Sequence, residues 1–452
     1  MSEIWTRPRR VEIPEIPEVK PKFVAGFTTA RLPRELGDSN NRNLSLISKK
    51  VVQEGDTLPD TIGYLYLDES TQKIYYSSGV FNEPKFLFNW NKSLSNGRNC
   101  EFYNAFITKE GDIIFMRNRV RDNPIIYPAN DYGNPYVIEF GDRLKPYAFE
   151  TDAGIDMHPN GDYFIFGEYT DHKIADEVNN DPRIIWKVTK PFDNPDNWQI
   201  KHSFKHVYFS SPVSDEPDRE IGHIHTVVRD FYTGVWYCST GDIDRHCRVW
   251  LSTDEGETWS EVAKDKVALS SDGTWKEVVS RGQAWRAFGM IFTKECAYWG
   301  TDAHGVNVHA LYRIDKNKDT GVLDFSTITF LANLDFKNGQ PQPTYTTCYL
   351  REPNGLLFLD RAEPRSDHLL DLSFWSFEYN ELFKLGTFNR IPNESSNNRS
   401  GWGNQVATHY QPTAEDGIVF GAGSYIRRNK MDVLNNRVEN RVGNMKIRIY
   451  EV

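Results

Sequence analysis

A pair of short apolar strands around a polar turn recurs along almost the whole chain, and few folds can hold it so often. It is seen in "TIGYLYLDESTQKIYYSSG" from Thr61, "EFYNAFITKEGDIIFMRN" from Glu101 and "AGIDMHPNGDYFIFGEYT" from Ala153. It returns in "GHIHTVVRDFYTGVWYCSTGD" from Gly222, "WRAFGMIFTKECAYWGTD" from Trp285, "TYTTCYLREPNGLLFLDR" from Thr344 and "NQVATHYQPTAEDGIVFGAGS" from Asn404. Each copy alternates Ile, Val, Phe, Tyr or Trp with smaller and polar residues and turns on Gly, Asp or Asn, the signature of a β-hairpin. Successive copies begin roughly 40 to 70 residues apart, which leaves room for two further strands and a loop in each repeat.

The pattern therefore predicts an all-β chain: a β-propeller of five to seven four-stranded blades with an extended N-terminal arm. Further strand-like runs follow most hairpins, as in "RIIWKVT", "RVWLST" and "LSFWSFEY". No long stretch repeats every 3.6 residues, as an amphipathic helix would. A long pair of β-sandwiches is the alternative, but it leaves the regular inner hairpin unexplained. Residues 1–25 carry Pro8, Pro14, Pro17 and Pro21. Proline fixes φ and removes backbone donors, so this segment reads either as a tail or as an arm that lies along a neighbouring protein. Residues 26–100 read as an accessory region or a first blade, and 101–452 as the propeller. The closing "NMKIRIYEV" is expected to supply a final strand that shuts the ring.

Composition narrows the function. A net charge of -10 argues against a nucleic-acid backbone as the principal ligand. No run approaches the ~18 apolar residues that span a bilayer, and the N-terminus has basic residues without the apolar core of a signal peptide. The five cysteines (Cys100, Cys238, Cys247, Cys296 and Cys348) are scattered, odd in number and form no CxxC, so they read as reduced core residues.

"LSTDEGETW" fits S-x-D-x-G-x-T-W through Ser252, Asp254, Gly256, Thr258 and Trp259. The Asp254 carboxylate can accept N–H bonds across the loop, Gly256 supplies an unusual φ, and Trp259 packs beneath. A degenerate copy, "PFDNPDNW", keeps the spacing from Asp193 to Trp198, and "LSSDGTW" is shorter still. The motif resembles the Asp-box, or BNR repeat, of sialidase-like propellers. The resemblance implies a turn between the two outer strands of a blade, facing away from the active site. It does not extend to sialidase chemistry: "TRPRRVEIP" lacks the family's Arg-Ile-Pro, and neither its arginine triad nor its Tyr/Glu pair can be assigned.

In an inner hairpin the first strand starts where the second ends, so one end of each blade collects those residues. First-strand starts offer Asp156 and His158, His223 and His225, Trp285 and Arg286, and Gln405 and His409. Second-strand ends offer Arg117, Glu168, Asp242, Asp302 with His304, and Asp360 with Arg361. The candidate ligand-binding set is His223, His225, Asp242, Trp285, Arg286, Asp302, His304 and Arg361. Each charged residue could simply be solvated, and Trp236, Trp285, Trp299 and Trp402 could pack between blades rather than stack on sugars. On a regular strand His223 and His225 share one side. With Asp242 they could seat a divalent metal, although no cofactor is required, or bind phosphate or a sugar hydroxyl. Alternatively both rings satisfy backbone groups near the axis.

A signal-less, nearly all-β chain with a Pro-rich arm and a polar propeller face resembles the tail receptor-binding proteins of bacteriophages that infect Gram-positive bacteria. That likeness implies a homotrimer made in the host cytoplasm and carried on the virion tail. Its partners are then a cell-surface polysaccharide or teichoic acid and, through the arm, other tail proteins, with no nucleic acid and no membrane insertion. The alternative is a carbohydrate hydrolase or lyase, in which Asp242 and Asp302 would be the paired carboxyl groups.

Overall fold

A computed structural model describes residues 23–29, 44–52, 61–68, 71–77, 84–100, 103–118, 120–149, 152–169, 181–206, 220–241, 246–263, 268–269, 275–276, 282–287, 289–301, 310–333, 344–350, 354–360, 369–390, 410–411, 418–421, 431–433, 436–437 and 444–451. Among these the chain is all-β, broken only by short 3-10 turns, and no helix is long and apolar enough to cross a membrane.

Antiparallel sheets follow one another in chain order. The first joins Leu44–Val52, Thr61–Asp68, Lys73–Ser77 and Lys85–Asn89; the second joins Tyr103–Ile107, Ile113–Arg117, Ile125–Tyr127 and Tyr136–Val137. The third joins Ile155–Met157, Tyr163–Gly167, Arg183–Thr189 and Trp198–His206, with Glu220–Ile221 added in parallel. The fourth joins His223–Arg229, Trp236–Gly241, Arg248–Ser252 and Ser260–Ala263, and the fifth Ile291–Phe292, Cys296–Gly300, Ala310–Asp315 and Thr329–Asn333. The sixth is built on Thr344–Leu350, Gly355–Asp360, Leu369–Ser376 and Glu381–Arg390. In each, neighbours in sequence are neighbours in space, as short hairpin connections require.

Buried side chains explain why the sheets stand side by side. Phe88, Trp90, Phe115 and Tyr127 fill one cluster between the first and second sheets. Phe140, Phe164, Trp186 and Trp198 fill the next. Ile165, Ile224, Trp236 and Trp259 join the third and fourth, and Tyr237, Trp285, Trp299 and Tyr312 the fourth and fifth. Leu311, Phe358 and Trp375 continue into the sixth. A sheet with apolar residues on both faces must be covered twice, and the second to fifth sheets are each covered by the sheet before and the sheet after. Such lateral stacking of separate meanders is propeller packing, and it excludes the β-sandwich alternative. Cys100, Cys238, Cys247 and Cys296 are buried within these clusters.

The first and last described strands meet. Phe23–Thr29 pairs antiparallel with Asn444–Glu451, from Phe23 opposite Glu451 to Thr29 opposite Met445, and Asn444–Glu451 pairs on its other side with Ile418–Gly421. Leu44–Val52 approaches both Tyr103–Ile107 and this terminal sheet, while Phe23–Thr29 approaches Glu381–Arg390. Residues 1–22 of the expected arm lie outside the described residues, and Phe23 to Ala25 belong to the pairing strand.

The "LSTDEGETW" turn links the third and fourth strands of the fourth sheet. Asp254 accepts from the Ser252 hydroxyl at 2.7 Å, the Thr258 N–H at 2.9 Å and the Thr258 hydroxyl at 2.6 Å. The little burial it has works the other way, but these donors bring its pKa down to about 2. Gly256 has φ +81°, and a Cβ there would stand 2.1 Å from Ile165 Cδ1 of the third sheet. The turn is thus pressed against its neighbour, where Lys187 donates to the Glu255 carbonyl at 2.8 Å and pairs with Glu257 at 2.6 Å. "PFDNPDNW" occupies the equivalent link of the third sheet, with Trp198 Nε1 donating to the Phe192 carbonyl at 2.9 Å. Ala268–Leu269 pairs antiparallel with Trp275–Lys276, and the rest of "LSSDGTW" lies outside the described residues.

Closure by the chain ends makes unequal predictions for two truncations. Removing residues 1–22 should leave the melting temperature unchanged, whereas removing 1–29 bares Asn444–Glu451 as an open edge and should lower it and promote aggregation. Thermal melts of both truncations check this, and identical melting would show that Phe23–Thr29 does not close the ring.

Candidate functional site

One end of the sheets gathers the starts of first strands and the ends of second strands. In the fourth sheet His223 pairs with Gly241, Ile224 with Thr240 and Thr226 with Ser239, so His225 is the extra residue of a β-bulge. A bulge re-aims a side chain. The two imidazoles do come together, with centroids 6.0 Å apart at 64°, but through this irregularity rather than the simple strand alternation expected of them. Tyr169, two residues beyond the strand Tyr163–Gly167, stands 4.3 Å from the His223 ring and 6.2 Å from the His225 ring. Both histidines are buried.

Arg286 joins them from the segment before the fifth sheet. A Cβ placed on Gly241 would be 2.7 Å from Arg286 Cγ and 2.9 Å from both Cδ2 and Nε2 of His225. The arginine stem and the imidazole therefore flank the same glycine. Tyr169 follows the third sheet, His223 and His225 begin the fourth and Arg286 precedes the fifth, so the stacking of adjacent sheets brings them together. They offer imidazole, phenol and guanidinium groups, all able to donate hydrogen bonds to an oxyanion.

Other expected members fall differently. Asp242, Asp302, His304 and Arg361 lie outside the described residues, as do Trp402, Gln405 and His409. Among the described residues no three His, Cys, Asp or Glu side chains gather as a metal site. Trp285, expected to meet ligand, is instead a core residue at 1% exposure, 6.3 Å from Trp299 in a stacked pair. Its large apolar surface closes the fourth and fifth sheets together. Trp236 and Trp299 are likewise fully buried. His158 is at the opposite end from the one expected: it begins the turn before Tyr163, stacks on that ring at 4.8 Å and approaches Glu255 at 3.6 Å. Its strand is only Ile155–Met157, so three residues carry the chain across the sheet.

Glu168 does end a second strand, but its bonding is saturated. It accepts from Arg121 Nη1 at 2.7 Å and Nη2 at 3.0 Å, Trp186 Nε1 at 2.7 Å, and the N–H groups of Tyr147 and Ile184 at 3.1 Å each. Arg121 also donates through Nε to Asp181 at 3.0 Å and lies 4.2 Å from the Tyr147 ring centroid. Burial pushes the Glu168 carboxyl up, opposed first by the Arg121 charge. Five donors around one carboxylate describe an anchor between the second and third sheets rather than a ligand contact. Arg117 is likewise paired, with Asp122 at 2.9 Å.

Asp156 joins the third sheet to the fourth by accepting the Arg229 N–H at 2.9 Å, and it also accepts the Met157 N–H at 2.8 Å. Burial of its carboxyl outweighs these bonds and raises the pKa to about 6. A raised folded-state pKa favours the protonated acid. The associated stability is full below the unfolded value and is lost as pH rises through about 6.

No protein-family model matches the sequence, and no curated protein matches it. Solved structures that resemble the chain are β-propeller-like. A prolyl endopeptidase is similar at 10% identity and a TM-score of 0.47, over 91% of this chain and 51% of that one, so this chain spans about half its length. An ulvan lyase bound to a GlcA–Rha3S saccharide is similar at 10% identity and a TM-score of 0.44, over 91% and 94%. YCF48 from Cyanidioschyzon merolae is similar at 10% identity and a TM-score of 0.40, over 81% and 92%. The propeller assignment rests on this chain's own sheet order and ring contacts.

Two substitutions separate anchor from titrating group. Glu168→Gln, by breaking a buried ion pair, should cost about 3 to 5 kcal/mol in urea unfolding; a loss below 1 kcal/mol would remove Glu168 from the role of anchor. Asp156→Asn does not titrate, so melts from pH 4 to 8 should show the variant gaining on the wild type as pH rises through about 6. A difference constant with pH would show that Asp156 titrates alike in both states.

Proposed function

We propose that this chain is a phage tail receptor-binding protein whose propeller attaches to a host cell-wall glycopolymer such as teichoic acid. The observation that carries the reading is the meeting of Tyr169, His223, His225 and Arg286 at one end of three consecutive sheets. Imidazole, phenol and guanidinium donors match the phosphate oxygens and hydroxyls of such a polymer. The protein carries a net charge of -10, so attraction has to be local rather than a property of the whole surface.

In this reading the ring has seven blades. The seventh combines Ile418–Gly421 and Asn444–Glu451 with Phe23–Thr29, and the LSTDEGETW turn is an Asp-box on the far side. Residues 1–22 are the arm that docks on other tail proteins. A homotrimer presents several copies of one weak site, and tethering turns modest affinity into firm attachment.

A second reading, carbohydrate hydrolase or lyase, is favoured by one observation: two buried imidazoles lie beside a half-buried phenol, the group types that carry protons in catalysis. Asp242 and Asp302 would complete the set, with a divalent metal on His223, His225 and Asp242 as one form of it. Incubating the purified chain with intact Gram-positive wall polymer separates the two. Attachment predicts retained protein, no soluble fragments and loss of retention in Arg286→Ala. Fragment release abolished by His225→Ala would replace attachment with the enzyme.

A further inference from the structure

Arg286 is carried by a segment with no strand ladder of its own: a 3-10 turn over Gly282–Trp285 leads to an isolated bridge between Ala287 and Thr301. Buried backbone groups outside a ladder need other partners. Two hydroxyls of the fourth sheet supply them on both sides of Arg286. Ser239 Oγ donates to the Trp285 carbonyl at 2.8 Å and accepts from the Ala287 N–H at 3.0 Å. Thr226 Oγ1 donates to the Ala287 carbonyl at 2.9 Å and accepts from the Gly289 N–H at 2.9 Å. Thr226 and Ser239 are cross-strand partners, both fully buried, just beyond the bulge that holds His225.

We propose that Thr226, Ser239 and Gly241 are positioning residues that set the Arg286 guanidinium and the His225 imidazole together against an anionic group of the polymer. The inference rests on the polymer reading above. The fourth sheet supplies His225 itself, the two hydroxyls that fix the backbone of Arg286, and the glycine between the two side chains. At Gly241 any side chain would enter the 2.7 to 2.9 Å gap that Arg286 and His225 leave to a Cβ. A hydroxyl with two bonds to a neighbouring segment fixes both its distance and its rotation, which one apolar contact cannot do. The bulge supports the same end, because a one-residue slip would turn Thr226 to the opposite face.

The test measures equilibrium binding of purified wall teichoic acid to the full chain, well below each variant's melting temperature. Arg286→Ala should weaken binding at least about tenfold, the loss expected for a hydrogen bond to a charged group. Thr226→Val, Ser239→Ala and Gly241→Ala should approach that loss, and Thr226→Ser, which keeps the hydroxyl, should recover most of it. If the hydroxyls only satisfy backbone groups, Thr226→Val and Ser239→Ala will melt earlier yet bind like the wild type. That result, with Arg286→Ala still defective, overturns the positioning role and leaves the polymer reading standing. Unchanged binding by Arg286→Ala, or no binding by the wild type, removes the polymer reading and the inference with it. Should Thr226→Val fail to fold, Ser239→Ala and Gly241→Ala decide the same question.

Discussion

The second to fifth sheets are apolar on both faces, so each of them needs a neighbour on either side. Phe115 and Tyr127 look toward the first sheet, while Ile114 and Ile126 of the same strands look toward the third. A linear stack would leave its first and last sheets uncovered. Pairing Phe23–Thr29 with Asn444–Glu451 removes that problem, because the terminal sheet so formed approaches both Leu44–Val52 and Glu381–Arg390.

The spaces between sheets are sealed by different chemistry at different depths. Aromatic clusters fill the middle. At the turn end, the Asp254 loop leans on Ile165 and Lys187 of the preceding sheet, and Lys316 forms a buried pair with Asp230 at 2.7 Å between the fifth and fourth. At the opposite end, Glu168 collects donors from the second and third sheets, and the hydroxyls of Thr226 and Ser239 hold the segment that leads into the fifth. A buried polar group is tolerated only when its partners are present, so these bonds select one lateral register over others of equal apolar area. The same fixed register brings residues from separate sheets side by side.

Much of the fold was legible from local pattern, since alternation with period two and turn residues are properties of neighbouring positions. "HIHTVVRD" and "VWYCST" became the predicted hairpin, and "LSTDEGETW" became a turn held by Asp254. The site was legible only in part. His223, His225 and Arg286 fall at the expected end because strand ends can be placed from sequence. Tyr169 was missed: in "GEYT" it stands beside the charged Glu168, and no period marks which of the two faces the histidines. Trp285 and His158 went astray because a 3-10 turn and a three-residue strand shift the ends by a few positions.

Sequence alone determined what short-range order can determine: an all-β chain of repeated hairpins, the Asp254 turn, the buried cysteines, and a histidine pair at the start of one strand. The tertiary structure decided which groups meet. His225 and Arg286 flank Gly241, Tyr169 reaches His223 from another sheet, and the first described strand pairs with the last, all between residues far apart in the chain. Local pattern carries no record of such distances. They are fixed only when apolar faces on every sheet must be covered together and the ring has one way to close.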